Sequence, residues 1–244
     1  MAIYRYIKKQ PEAYLFPRSK REFNSKIPAI VFLVIGFALL MNAAYPIISY
    51  QLLVSPRFSS SFASPDSEAV IAQSFGVPET PSTQIDLLDL TKASNWFPDK
   101  DVIFDDGQTD LYFLSIPKLG IEEARVSLGS DLGKSLIQYP GTAAPGRFGN
   151  TVIFGHSILP QFFSPKNYMA IFSTLPTLRP NDEILISYNQ INYRYLVEQM
   201  IEVTPSDISI LAQRYDDSYL TLITCVPPGT YLKRLIVRAR LTKT

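Results

Sequence analysis

Three reactive side chains lie at the ends of apolar segments in this sequence. The only cysteine, Cys225, closes the run TLITC, the only histidine, His156, closes the run VIFGH, and Arg234 opens the run RLIV nine residues after the cysteine. A thiol can attack a carbonyl carbon, an imidazole can carry protons, and a guanidinium can stabilise charge on a carbonyl oxygen. The three side chains together predict nucleophilic acyl transfer at a peptide bond.

The run TLITC at residues 221–225 resembles the signature T-L-x-T-C of the sortases, the membrane-anchored cysteine transpeptidases of bacterial cell surfaces. Further segments resemble the same family in the same order along the chain. IPKLGI at 116–121 resembles its first core strand, and PNDEI at 180–184 resembles the turn into its middle strands. Between them, the approach to the family's histidine is resembled by PGT at 140–142, PG at 145–146 and GN at 149–150. The resemblance spans residues 111–241, about the size of one compact domain.

The resemblance implies a catalytic set of Cys225, His156 and Arg234, with Thr224 and Thr221 as substrate-binding residues. It also implies that a C-terminal sorting signal of the L-P-x-T-G type is cleaved after its threonine. The acyl fragment would be held as a thioester and passed to an amine of a peptidoglycan precursor or a pilin lysine. The segment TCVPPG, with the arginine nine residues after the cysteine, is more similar to the pilus-type and related classes than to the housekeeping class.

Two other functions remain compatible with these residues. A related membrane-anchored cysteine peptidase would use the same side chains and release its acyl group to water, whereas a non-catalytic barrel would only bind surface peptides. Zinc sites need about four N, S or carboxylate ligands, and one cysteine with one histidine is a poor supply. No G-x-S-x-G elbow is present, which argues against a serine hydrolase. The acidic pairs Asp105–Asp106 and Asp216–Asp217 make calcium possible without supporting it, so we expect no metal and no cofactor.

The N-terminal part of the chain predicts a membrane anchor. No charged side chain occurs between Lys26 and Arg57, and a span of ~20 apolar residues crosses a bilayer as a helix. Seven lysines and arginines precede the span against two acidic residues, so the positive-inside rule predicts a cytoplasmic N-terminus and an extracellular catalytic domain at the cell membrane. A cleaved signal peptide is the alternative, but Asn42-Ala43-Ala44 is a poor match to a small-x-small cleavage site.

The bulk composition limits the possible partners of the folded part. From Arg57 onward the chain has sixteen basic and twenty acidic residues, and such a mildly acidic domain is not expected to bind nucleic acid. We expect membrane lipid, a surface protein or pilin with a sorting signal, and an amine acceptor as partners. The predicted organisation is a basic cytoplasmic tip at 1–26, a transmembrane anchor at 27–48, an extracytoplasmic stalk at 49–108, and a catalytic domain at 109–244.

The only tryptophan, Trp96, lies in the predicted stalk within the run NWFPD. Pilus-building sortases often carry an aspartate-proline-aromatic lid just before the barrel, and this run resembles that lid in composition. The order of residues differs, because no aspartate directly precedes Pro98. An aromatic anchor that ties the stalk to the domain is the alternative to a lid.

The catalytic domain is predicted to be mainly β, a closed or nearly closed sortase-like barrel with short helices, preceded by one N-terminal transmembrane helix. Segments rich in β-branched and aromatic residues predict strands at 111–116, 124–128, 151–154, 184–188, 193–203, 219–225 and 232–241. Two short helices are predicted, at 168–175 and at 206–214, the second capped by Ser206. Strand alternation places Thr221, Ile223 and Cys225 on one face. It also predicts that Arg238 and Arg240 lie on the solvated outside of the barrel.

Overall fold

The computed structural model describes residues 26–58, 92–96 and 112–242 of the 244-residue chain. The chain divides into two compact units, residues 1–42 and residues 43–244. Much of the predicted stalk lies outside the described residues, as does most of the predicted basic tip. The proposed domain boundaries therefore stay predictions.

The N-terminal helix α1 runs from Lys26 to Ser49 and continues as a π-helical turn, Tyr50–Val54, and a 3-10 turn, Ser55–Arg57. Long apolar side chains of α1 are exposed over almost its whole length. Among the described residues, this is the one helix that is long enough and apolar enough to cross a membrane. An all-round apolar surface of this kind fits a lipid environment better than water.

Eight strands form a closed barrel, which confirms the predicted barrel and adds one strand, Leu136–Gln138, to the seven predicted. Their bounds are β1 Tyr112–Ile116, β2 Ile121–Ser127, β3 Leu136–Gln138, β4 Gly149–Phe154, β5 Glu183–Tyr188, β6 Ile191–Val203, β7 Ser218–Val226 and β8 Lys233–Leu241. The order around the barrel is β1-β2-β3-β4-β7-β8-β6-β5, and β1 pairs with β5 to close it. The β2–β3 and β4–β7 pairs are parallel and the others antiparallel.

Side-chain alternation along the strands divides the buried residues into two clusters. The interior cluster draws side chains from all eight strands, among them Leu222 of β7 and Val237 of β8. The outer-face cluster covers the other side of β3, β4, β6, β7 and β8, and contains Phe154, Cys225 and Ile236 together with the distant Trp96. One stretch of sheet is thus buried on both of its faces.

Three local expectations were wrong. The segment 168–175 forms successive turns in place of a helix, because the Phe172 N–H donates to the His156 carbonyl (3.0 Å) and so cannot join a helical ladder. The segment 206–214 holds only the 3-10 turn Ser209–Leu211, and the Ser206 hydroxyl bonds the Thr204 hydroxyl in place of capping it. Arg240 is exposed as expected, but Arg238 is half-buried with its guanidinium 5.9 Å from the Tyr219 ring centroid.

Candidate active site

The strand order brings the three predicted reactive residues to neighbouring strand ends. Cys225 is the Cα partner of Arg234 in the antiparallel β7–β8 pair. In the parallel β4–β7 pair Phe154 lies opposite Ile223, so the next residues with the same orientation are His156 and Cys225. Residues two apart along extended chain face the same side. The thiol therefore lies between the imidazole and the guanidinium on the outer face of the sheet.

Hydrogen bonds fix the ends of β4 and β7 against each other beyond the last ladder pair. The Thr224 hydroxyl donates to the Gly155 carbonyl at 2.8 Å, and the Ser157 hydroxyl donates to the Cys225 carbonyl at 2.6 Å. The Gly155 N–H donates to the Ile223 carbonyl at 3.1 Å. These bonds bracket His156 and Cys225 and set the spacing between the two backbones.

Gly155 is required by a close approach of two segments. A Cβ at this position would lie 2.4 Å from a ring carbon of Phe172 and 2.7 Å from a methyl carbon of Leu136. Real Cβ atoms do not approach other atoms so closely, so any larger residue would push the following backbone outward. The glycine thereby allows His156 to follow β4 without displacement from Cys225.

Trp96 covers this group of side chains. Its indole lies 5.7 Å from the His156 ring and 5.5 Å from the Phe154 ring, and the Arg234 guanidinium lies 5.1 Å from the indole centroid. Contact of a guanidinium with an indole face is favourable. Trp96 is fully buried, and Cys225, His156 and Arg234 expose only 1%, 4% and 3% of their surface. The site is closed in this arrangement.

The segment that carries Trp96 is held to the loop between β2 and β3. Lys92 forms an isolated antiparallel bridge with Asp131, and the Ala93 N–H donates to the Ser130 carbonyl at 2.9 Å. These two contacts join the segment to the barrel, in addition to the burial of the indole itself.

Burial dominates the electrostatics of the thiol. Loss of hydration raises the pKa of Cys225 to about 11, although the nearby Arg234 guanidinium acts in the opposite direction. A buried thiol resists ionisation because the charged form loses its water. The closed site consequently holds a protonated, weakly nucleophilic sulfur near neutral pH.

Arg234 is occupied by its own loop in this state. One terminal nitrogen, Nη1, donates to the Tyr231 carbonyl at 3.3 Å and to the Lys233 carbonyl at 3.5 Å. Its Nε atom is buried with no hydrogen-bond partner among the described residues. The guanidinium thus retains a donor for a group that enters the site.

The two predicted substrate-binding threonines are both fully buried. Thr224 donates to Gly155 as described above, and Thr221 donates to the Asn150 side-chain oxygen at 2.7 Å. Both hydroxyls are therefore committed to bonds that join β7 to β4. Their contact with a substrate stays a prediction.

The acidic pairs considered for calcium are placed only in part. Asp216 accepts bonds from Arg214 and from the Tyr219 hydroxyl, while Asp217 accepts from the Ser218 N–H. No group of three metal-ligating side chains occurs in the described ranges. The pair at 105–106 lies outside them.

Ser157 was not predicted as a site residue, although its bond to the Cys225 carbonyl is among the shortest at the site. The only signal in the sequence is its position directly after His156. The parallel β4–β7 pairing brings this hydroxyl to the backbone of a residue 68 positions away. Local sequence does not reveal that pairing.

Known proteins are similar to this chain over most of its barrel. A family model described as the Sortase domain matches residues 114–242. The chain is also similar to a protein named Sortase A from Bacillus anthracis, with 29% identity over 166 residues that cover 67% of this chain and 71% of that protein.

Solved structures of similar proteins include a Sortase D5 transpeptidase from Clostridium perfringens, with 27% sequence identity and a TM-score of 0.47. The match covers 55% of this chain and 79% of that protein's chain. Another is a pilus-related Sortase C of Group B Streptococcus, with 29% identity, a TM-score of 0.48, and coverage of 57% and 70%.

Proposed function

The chain belongs to the sortase family of cysteine transpeptidases, and from this premise we propose that Cys225 is its nucleophile, His156 its proton carrier and Arg234 its oxyanion-stabilising residue. The observation that carries this assignment is the position of the three side chains on one face, at the aligned ends of β4, β7 and β8. In addition, Cys225 is the only thiol in the sequence.

The proposed reaction has two halves. The Cys225 thiolate attacks the carbonyl carbon of the scissile peptide bond, and Arg234 stabilises the charge on the carbonyl oxygen. The carbon–nitrogen bond breaks as His156 gives its proton to the leaving amine, which leaves a thioester on the sulfur. An incoming amine then attacks the thioester and returns a proton to His156, and Cys225 leaves as thiolate.

The proposed substrate is a surface protein or pilin with a C-terminal sorting signal of the L-P-x-T-G type, cleaved after its threonine. The proposed acceptor is an amine of a peptidoglycan precursor or a pilin lysine. A thioester that reacts only with water would make the protein a peptidase with the same site. The acceptor therefore distinguishes the two activities.

We propose further that Trp96 plugs the site and must move before a substrate can bind. Its indole lies against both His156 and Arg234, and the three reactive side chains are all buried under it. The indole comes from a segment outside the eight barrel strands, so its displacement would leave the strand pairing intact. The position supports a lid, and a permanent aromatic anchor is the alternative that mutation distinguishes.

The proposed location is the cell membrane, with a single span, a cytoplasmic N-terminus and an extracellular barrel. The apolar helix and the seven basic residues before it support this orientation. A protease added outside spheroplasts should digest the barrel and spare the N-terminal tip. Digestion of the tip instead, or a barrel that stays protected, would reverse the orientation.

The assay that tests the function uses the full chain with a fluorogenic L-P-x-T-G peptide, with and without added amine. A transpeptidase should form an amine-linked product by way of a thioester whose mass is found on Cys225. His156→Ala should abolish this adduct, because no group then protonates the leaving amine. Cleavage with no amine-linked product at saturating amine would identify a peptidase.

A further inference from the structure

The end of the apolar span is fixed on the barrel by a buried carboxylate. The Tyr50 hydroxyl donates to one oxygen of Glu202 and the Ser55 hydroxyl to the other, each at 2.8 Å. Tyr50 joins the interior cluster, and Val54 and Phe58 pack against that cluster. The polypeptide between residues 50 and 58 is therefore held on the barrel surface and does not hang from it as a free linker.

The same carboxylate holds the loop that follows Cys225. Lys233 Nζ lies 3.0 Å from the Glu202 oxygen that also accepts the Ser55 hydroxyl. Lys233 begins β8, directly after the exposed apolar residues Tyr231 and Leu232 of the β7–β8 loop. The end of this loop is consequently joined, through Lys233 and Glu202, to the segment where the apolar span ends.

The exposed side chains of this region have the chemistry of a bilayer boundary. Leu52 and Leu53, in the last turns of the span, are exposed, and Arg57 is the first charged residue after Lys26. Tyrosine and lysine favour the headgroup level of a membrane, where a leucine can reach the acyl chains. The sequence Tyr231-Leu232-Lys233 has this composition. Its lysine contacts the same Glu202 oxygen as Ser55, which lies two residues before Arg57.

We propose that residues 231–233, where the β7–β8 loop enters β8, form a membrane-contact surface that inserts Leu232 into the outer edge of a lipid bilayer. The partner is the lipid surface itself, and the proposal rests on the membrane anchoring proposed above. Because Arg234 Nη1 donates to the Tyr231 carbonyl, the lipid-facing loop is joined directly to the reactive site. Substrates would then be taken up at the membrane surface.

The test places a single fluorophore at position 232. In the full chain with Cys225→Ser, a cysteine introduced by Leu232→Cys is labelled with a nitrobenzoxadiazole probe and reconstituted into phosphatidylcholine–phosphatidylglycerol vesicles that contain spin-labelled lipids. The matched control is Ile191→Cys, since the two side chains are 62% and 54% exposed. Val203, at one end of β6, pairs with Arg234, whereas Ile191 lies at the other end of the strand. The two ends of β6 are roughly 40 Å apart along the strand.

The expected result is strong quenching at position 232 by lipids labelled near the headgroup, and little at position 191. Equal quenching at the two positions would overturn the proposal. A third probe at Leu40→Cys, 63% exposed in α1, reports the anchor itself through lipids labelled deep in the acyl chain. If the probe at position 40 is quenched and the probe at position 232 is not, the loop contact alone is refuted. If neither probe is quenched, the anchor is refuted as well.

Discussion

The interior of the barrel and the outer face of β4, β7 and β8 are buried to a similar extent but by different means. The interior cluster is apolar and is closed by the eight strands themselves. The outer-face cluster contains Cys225, and side chains from outside the strands cover it, among them Trp96, Ile210 and Leu211. Burial by strands cannot be undone without unfolding, whereas Trp96 belongs to a segment outside the strands. On the lid proposal, the first face provides stability and the second provides regulated chemistry.

The largest contrast should follow from truncating one buried side chain on each face. Cys225→Ala should reduce peptide cleavage below detection, because it removes the nucleophile, and it should change the melting temperature by no more than a few degrees. Leu222→Ala should instead lower the free energy of unfolding by about 2–5 kcal/mol, since it leaves a cavity in the interior. Cleavage assays and denaturant titrations on both variants measure the two effects. Cleavage that persists in Cys225→Ala would exclude this thiol as the nucleophile.

The second contrast lies within one strand. Arg234→Lys should lower kcat/KM by about 10²-fold or more, because an ammonium does not reproduce the paired donors of a guanidinium at an oxyanion. The control is Arg240→Lys, at an exposed position whose guanidinium lies 5.3 Å from the Tyr219 ring centroid. The control should keep wild-type kinetics. If Arg240→Lys lost activity and Arg234→Lys did not, the assignment of the arginine would be wrong.

Removing the cover should release the thiol. In the wild type, the rate of alkylation by a small thiol reagent should rise with pH toward a midpoint at about 11, because burial raises the pKa of Cys225. Trp96→Ala admits water, which favours the thiolate and lowers that pKa toward the ordinary value of 9.0. A fall of two units would increase the thiolate fraction near pH 7 by about 10²-fold.

Stability measurements separate a lid from an anchor. A lid predicts that Trp96→Ala gains thiol reactivity with a small loss of stability. An anchor predicts that the exposure of the thiol is accompanied by a loss of about 3–5 kcal/mol, as for other buried large aromatic residues. Alkylation rates from pH 6 to 11, together with unfolding curves, measure both quantities on the same sample.

The smallest effect should come from the bond that braces the two strand ends. Ser157→Ala removes the donor to the Cys225 carbonyl, and one neutral hydrogen bond is worth about 0.5–1.5 kcal/mol. We expect a loss of a few-fold in kcat with little change in KM, because the nucleophile is less well positioned. Ser206→Ala, at an exposed site, is the control. An unchanged kcat in Ser157→Ala would make that bond irrelevant to the reaction.

Short-range patterns predicted the elements of the barrel well because each strand must satisfy its own alternation. The faces of β4, β7 and β8 follow from that alternation, so the meeting of His156, Cys225 and Arg234 could be expected once the strands were placed. β3 was missed, since Leu136–Gln138 is only three residues long and a pattern of period two is not visible over so short a run.

Long-range contacts could not be predicted in the same way. The segment around Tyr168–Leu175 has a helical composition, yet the Phe172 N–H pairs with the His156 carbonyl, a bond between residues distant in sequence. The stacking of Trp96 on the site likewise depends on a segment more than a hundred residues from Cys225. Local propensity is a weak guide wherever tertiary contacts compete with it.

The parallel pairing of β4 with β7 also has a consequence for the order in which activity appears during folding. The bond from Thr224 to Gly155 spans 69 residues, and contacts so distant in sequence form late because closing a long loop costs entropy. Arg234 belongs to β8, the last strand of the barrel to be synthesised. A newly made chain should therefore carry an ordinary, unpositioned thiol until β8 pairs.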